Sequence, residues 1–165
     1  MIIITKENTC CFTGHRPEKL KGKESTIIKN LSKEIEKAIC EGYDTFISGM
    51  APGVDIWAAE EILRMKEGGQ NIRLVCAVPF ENVEKNRSEK DKEVFRDVIE
   101  RCDETVYICK KYARWCFLAR DRWMVDNSAR VIAVFNGAHG GTEYTVNYAR
   151  SKERDVILID DTVII

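Results

Sequence analysis

Long apolar runs are missing from this sequence. No stretch approaches the roughly 20 consecutive apolar residues that a membrane-spanning helix needs. The N-terminal run Ile2-Ile3-Ile4 is too short for the core of a secretion signal and has no basic lead. The expectation is a cytoplasmic chain with no membrane partner. Net charge is missing too: 26 Lys and Arg stand against 27 Asp and Glu, a formal −1. That balance gives no long-range pull toward polyanions and counts against a nucleic-acid partner. No repeat, low-complexity tract or linker interrupts the 165 residues, so they read as one domain with room for a real core.

The seven cysteines, Cys10, Cys11, Cys40, Cys76, Cys102, Cys109 and Cys116, include no CxxC pair, and their number is odd. Their spacing argues against a metal site. Most lie in apolar runs, which predicts reduced, buried thiols of an intracellular protein.

What is present is an alternation of short apolar runs with segments of helical period. Apolar runs at 9–13, 45–48, 72–78, 105–109, 130–135 and 156–159 predict strands, and the tail 162–165 could extend a sheet edge. Residues 25–40 place Ile27, Ile28, Leu31, Ile35, Ala38 and Ile39 three and four apart, the period of an amphipathic helix. Further helices are predicted over 54–66, 88–101, 117–127 and 142–151. Strand–helix alternation over the whole length implies a three-layer Rossmann-like α/β fold, with a mostly parallel sheet and helices on both faces. In such sheets ligands bind beyond the carboxyl ends of the strands, at the point where strand order reverses.

The loops after the strands therefore hold the candidate site. After the first strand comes Gly14-His15-Arg16-Pro17, where Arg16 offers a planar fork for phosphate or carboxylate. After the second comes Ser48-Gly49-Met50-Ala51-Pro52-Gly53-Val54-Asp55, leading into a helix whose N-terminus favours anions. Asp55 in its first turn can complement the dipole or accept from a ribose hydroxyl. After the fifth comes Asn136-Gly137-Ala138-His139-Gly140-Gly141-Thr142, where Thr142 can cap the next helix or bind a phosphate oxygen. Arg120 and Arg122, two apart, cannot share a helix face, so one is expected to reach inward. Both histidines of the chain, His15 and His139, fall in these loops. Gly22-Lys23 is a decoy: Pro17 stands where the first glycine of a P-loop belongs.

At these residues the chain resembles the SLOG superfamily of DprA-like and Lonely-Guy-like proteins, and within it the small YpsA-like bacterial and phage proteins. The resemblance is carried by CCFTGHRP (10–17), FISGMAPGVDIWAAE (46–60), VPF (78–80), RDRWMVDNSARVIAVFNG (120–137) and GGTEYTVNYA (140–149). Ser48, Gly49, Ala51, Gly53 and Asp55 match the DprA loop Ser-Gly-x-Ala-x-Gly-x-Asp. Arg120 and Arg122 match its Arg-x-Arg element, and Gly141, Thr142 and Thr145 its later turn. The resemblance implies a nucleotide-related pocket built from these loops, and self-association. Two departures stand out. The catalytic Glu of the Lonely-Guy phosphoribohydrolases aligns with Thr145, and there is neither the extra domain nor the basic charge of DprA.

Three functions follow as expectations. The first is binding or sensing of a nucleotide-derived small molecule of ADP-ribose or NAD type, with no obligatory cofactor. Gly14, His15, Arg16, Ser48, Gly49, Ala51, Gly53, Val54, Asp55, Arg120, Arg122, Asn136, Gly140, Gly141, Thr142 and Thr145 are its candidate residues. The second is a nucleotide-cleaving hydrolase drawing on His15, Asp55, Asp126 or Glu143, none at a decisive spacing. The third is a DprA-like nucleic-acid or protein-partner module. Trp57, Trp115 and Trp123 are expected as core or helix-packing residues rather than as stacking platforms.

Overall fold

The computed structural model describes residues 1–159. The expected sheet extension at 162–165 lies outside the described residues. Six strands form one sheet: β1 (Thr9–Gly14), β2 (Thr45–Ser48), β3 (Arg73–Val78), β4 (Glu104–Tyr107), β5 (Arg130–Val134) and β6 (Asp155–Ile159). Five helices connect them: α1 (Glu24–Cys40), α2 (Val54–Glu67), α3 (Glu89–Arg101), α4 (Cys116–Asp126) and α5 (Gly141–Ser151). The strand order is β4-β3-β2-β1-β5-β6, and every pairing among the described residues is parallel, not merely most of them.

The apolar runs form strands because both faces of the sheet are covered. On one side Cys10, Phe12, Phe46, Leu74 and Ile132 pack with Ile27, Leu31 and Ile35 of α1, Ala58 and Ile62 of α2, and Phe95 and Val98 of α3. On the other, Cys11, Ile47, Val75 and Val131 pack with Met124 and Val125 of α4 and Ala149 of α5. β4 stops at Tyr107, two residues short of the expected 109. The N–H groups of Ile108 and Cys109 still donate to Val78 and Pro79 at 2.9 and 3.0 Å. Pro79 has no N–H to return, so the ladder ends there.

The placement of Trp115 needs correction. Trp57 and Trp123 pack, partly buried, against the two cores. Trp115 is 63% exposed, because it stands just ahead of α4, whose inner face begins with the buried Cys116. Five cysteines are buried as expected, but Cys40, the last residue of α1, is exposed, and Cys102 is half-buried. No helix of the described residues is long and apolar enough to cross a membrane.

Candidate functional site

From β1 the chain steps outward through β2, β3 and β4, then returns past β1 to place β5 and β6 on the other side. Strand order therefore reverses between β1 and β5, and their carboxyl ends open into a cleft of about 350 Å³. Phe12, Thr13, Gly14, His15, Arg16, Glu18 and Lys19 line it from β1 and the turn beyond. Ala51 and Asp55 line it at the entry of α2, Arg120 and Asp121 from α4, and Gly140, Gly141 and Thr142 from α5.

The loop after β2 is braced from within. The buried Ser48 hydroxyl donates to the Asp55 carbonyl at 2.8 Å and accepts from the Met50 N–H at 3.2 Å. Gly53 enters α2 at φ 94°, a conformation that suits glycine. Gly14 and Gly49 serve packing. A methyl group on Gly14 would lie 2.4 Å from Val54 Cγ2, and one on Gly49 would lie 2.8 Å from Asp55 Oδ2 and 3.1 Å from Arg120 Cδ. The protein's own side chains thus fill the space beside these two candidate residues. At Gly140 and Gly141 the space is open, with nothing within 4 Å of such a methyl. Gly140 is the N-cap of α5, and no side chain caps the helix, Thr142 included. The first N–H groups of that helix therefore carry no side-chain cap, and the residues of this turn, Gly140, Gly141 and Thr142, line the cleft.

Arg120 is buried. Its Nη1 donates to the Gly49 carbonyl at 2.5 Å and its Nε to Asp121 at 2.7 Å. Asp55 is buried as well, and the Ala51 N–H donates to its Oδ2 at 3.3 Å. Burial pushes the Asp55 carboxyl up to about 6, helped by Asp121 and opposed by Arg120 and the Ala51 N–H. A carboxyl so placed titrates near neutrality, which suits a hydroxyl acceptor or a general base.

His15 is buried, and its Nε2 lies 3.0 Å from Asn136 Oδ1. That oxygen also accepts from the Ala138 N–H at 2.9 Å, and the Asn136 N–H lies 3.4 Å from the same ring nitrogen. The contact ties the β1 loop to the β5 loop across 121 residues. Asn136 thus enters the site as a brace.

Two residues singled out in the sequence lie elsewhere. Arg122 is exposed, sits over the Tyr144 and Tyr148 rings at 5.6 and 5.9 Å, and donates to the Tyr144 hydroxyl. Thr145 is buried, its hydroxyl donating to the Gly141 carbonyl at 3.0 Å. Of the acid–base candidates, Asp126 accepts from the Tyr148 hydroxyl at 2.8 Å on the outer surface. Glu143 pairs with the exposed His139 at 2.9 Å, raising that imidazole's pKa.

Arg87 is a residue that sequence reasoning missed. It lies in the stretch between β3 and α3, which has no glycine to mark it as a ligand loop. Its Nη2 donates to the Met50 carbonyl at 2.9 Å, and its guanidinium lies 5.0 Å from the centre of the Phe95 ring. With Arg16, Arg120 and Phe117 it lines a second cavity of about 210 Å³ adjoining the cleft.

The model of the YspA SLOG family (YpsA) matches residues 10–160. A UPF0398 protein of Lysinibacillus sphaericus is 27% identical over 139 residues, covering 79% of this chain and 78% of the relative. The SPbeta prophage-derived protein YoqJ of Bacillus subtilis is 25% identical over 144 residues, covering 80% and 81%. Among solved structures, DNA processing protein A of Helicobacter pylori, described for its single-stranded DNA binding mode, superposes with a TM-score of 0.64 at 18% identity. That likeness covers 91% of this chain but only 64% of that one, and at this identity it speaks to the fold alone.

Proposed function

Because this chain belongs to the YspA SLOG family, we propose that it binds or senses a nucleotide-derived small molecule in the cleft between β1 and β5. The observation that carries this is one cleft that joins an anchored, buried guanidinium, Arg120, to a buried carboxyl, Asp55, facing the open glycines of α5. Arg16, Arg120 and the N–H groups of Gly141 and Thr142 would hold phosphate, and Asp55 would accept from a ribose hydroxyl. The volume falls within the range of small-molecule pockets. Ligands of ADP-ribose or NAD type fit this chemistry, with no obligatory cofactor.

A nucleotide-cleaving activity is the second reading, favoured by the Asp55 carboxyl near 6. Against it, the position of the Lonely-Guy glutamate holds Thr145, whose hydroxyl is spent on its own helix. The likeness in fold to DprA supports a nucleic-acid or protein-partner module as the coarser alternative. Self-association follows from the family resemblance, and sedimentation of the purified chain reads it.

The test is a thermal-shift screen against AMP, ADP, ATP, ADP-ribose, NAD and cyclic dinucleotides, with each mixture then checked for conversion. A ligand that binds the folded state raises the melting temperature by mass action. A shift with intact ligand supports sensing, and a shift with consumed ligand supports the enzyme. No shift across the panel sinks the nucleotide reading and favours the partner module.

A further inference from the structure

We propose that the loop between β4 and α4, residues 108–115, is a docking strip for single-stranded nucleic acid. From Thr105 to Arg120 the sequence holds no acidic residue, while Lys110, Lys111 and Arg114 stand within five positions. All three are exposed. Interleaved with them are Tyr112, 67% exposed, and Trp115, 63% exposed. Of the seven large apolar side chains exposed among the described residues, four fall between 107 and 118: Tyr107, Tyr112, Trp115 and Leu118. Scattered exposed apolar residues mean little, but a cluster marks an interaction surface.

The chemistry selects the partner. Cations interleaved with exposed aromatic faces match a polyanion that carries flat π systems, and single strands offer both, with bases free to stack. A duplex hides its base faces, and an acidic peptide has none to offer. The overall charge of −1 does not oppose this, because screening limits charges to roughly a 10 Å neighbourhood at 0.1 M salt. The strip is also continuous with the arginines beside the cleft. Tyr112 packs edge-on against Phe80 at 5.2 Å, Phe80 against Phe117 at 5.6 Å, and Phe117 lies 6.0 Å from the Arg120 guanidinium. A strand stacked on Tyr112 and Trp115 would have Arg16 and Arg87 ahead of it for its next phosphates.

The five side chains of the strip are none of those proposed to hold the cleft's ligand, so the two are tested apart. The intact chain is titrated with an oligothymidylate of about 16 nucleotides at low salt, read by tryptophan fluorescence and by anisotropy of a labelled strand. The expected result is saturable binding that quenches the emission contributed by Trp115, defined by the Trp115→Phe variant. Trp115→Ala and Tyr112→Ala should each weaken binding on the order of tenfold or more. Trp115→Phe should restore most of that loss. Lys110→Ala, Lys111→Ala and Arg114→Ala should each reduce the slope of log K against log salt by about 0.7. All five side chains are exposed, so melting temperatures should hold for every variant but Tyr112→Ala, which loses its edge-on contact with Phe80. Equal or tighter binding of a duplex or of polyglutamate would overturn the proposal, as would oligothymidylate binding that ignores Trp115→Ala. No oligothymidylate binding at low salt would overturn it too, whatever the nucleotide screen returns.

Discussion

Arg120 on α4 donates from Nη1 to the carbonyl oxygen of Gly49, 71 residues earlier at the end of β2. The bond fixes a buried cation at the floor of the cleft, where its remaining donors can meet a ligand without first being ordered. It also makes the residue structural. Arg120→Ala leaves the Gly49 carbonyl without its charged donor, an expected loss of about 2–3 kcal/mol of stability. Arg122→Ala removes an exposed cation over two tyrosine rings together with its exposed hydrogen bond to the Tyr144 hydroxyl, worth about 0.5–1 kcal/mol. Urea unfolding of the two variants should separate them clearly, and only Arg120→Ala should lose the nucleotide-induced thermal shift. Equal behaviour would mean that the inward and outward assignments are wrong.

Asp55 gives the protein a pH signature. Its folded-state pKa, about 6, lies above the ordinary 3.8. The folded chain therefore holds this proton more tightly than the unfolded chain. The stabilisation is full below about 4, declines as pH rises, and is gone above about 6. At 1.36 kcal/mol per unit, a shift of roughly two units amounts to about 3 kcal/mol. Asp55→Asn should flatten stability between pH 4 and 6 and leave the variant more stable than the parent at pH 7. If Asp55 accepts from a ligand hydroxyl, parental affinity should rise as pH passes 6, and the variant should lose that rise. Chemical denaturation and calorimetric titration at pH 4.5, 6 and 7.5, about one and a half units apart, read both.

Glycines with a packing role part from glycines with a ligand role under substitution. Gly49→Ala drives a methyl to 2.8 Å from Asp55 Oδ2 and 3.0 Å from Met124 Sδ, where both neighbours belong to the folded site. A loss of about 1–3 kcal/mol is expected. Gly141→Ala meets nothing within 4 Å and lies at an ordinary φ, so the melting temperature should hold. Its methyl would instead stand over the first N–H groups of α5 and reduce the shift caused by a phosphate-bearing ligand. A Gly141→Ala variant that binds every nucleotide as the parent does would remove the α5 turn from the site.

The fold was legible because both faces of the sheet are covered, which turns strands into unbroken apolar runs such as Leu74–Val78 and turns helices into one-sided stripes. The loops were legible as places, less so as roles. Gly14 and Gly49 carry the same letter as Gly141, yet the fold brings Val54 and Asp55 into the space beside the first two. Arg120 and Arg122 were separable in principle by helical period, but which one turns inward depends on where α4 meets the sheet. Arg87 and Trp115 were missed for opposite reasons. Arg87 sits in a loop with no glycine to flag it, and Trp115 belongs to a residue type that burial usually claims.

Arg16 carries the sharpest test of the cleft. Its guanidinium is exposed and makes no hydrogen bond among the described residues. It lines one cavity with Arg87, whose pKa is lowered first by burial and then by Arg16, a like-charge approach that an anion between them would relieve. Arg16→Ala should therefore leave the apo protein as stable as the parent, or slightly more so. The same change should weaken a phosphate-bearing ligand by one charge-assisted hydrogen bond, about 1.5–3 kcal/mol. Ligands that share the sugar and base but lack phosphate should bind parent and variant alike. Calorimetry with an ADP-ribose and adenosine pair measures the difference. Equal loss for both would place Arg16 at the sugar or base, and no loss for either would remove it from the site.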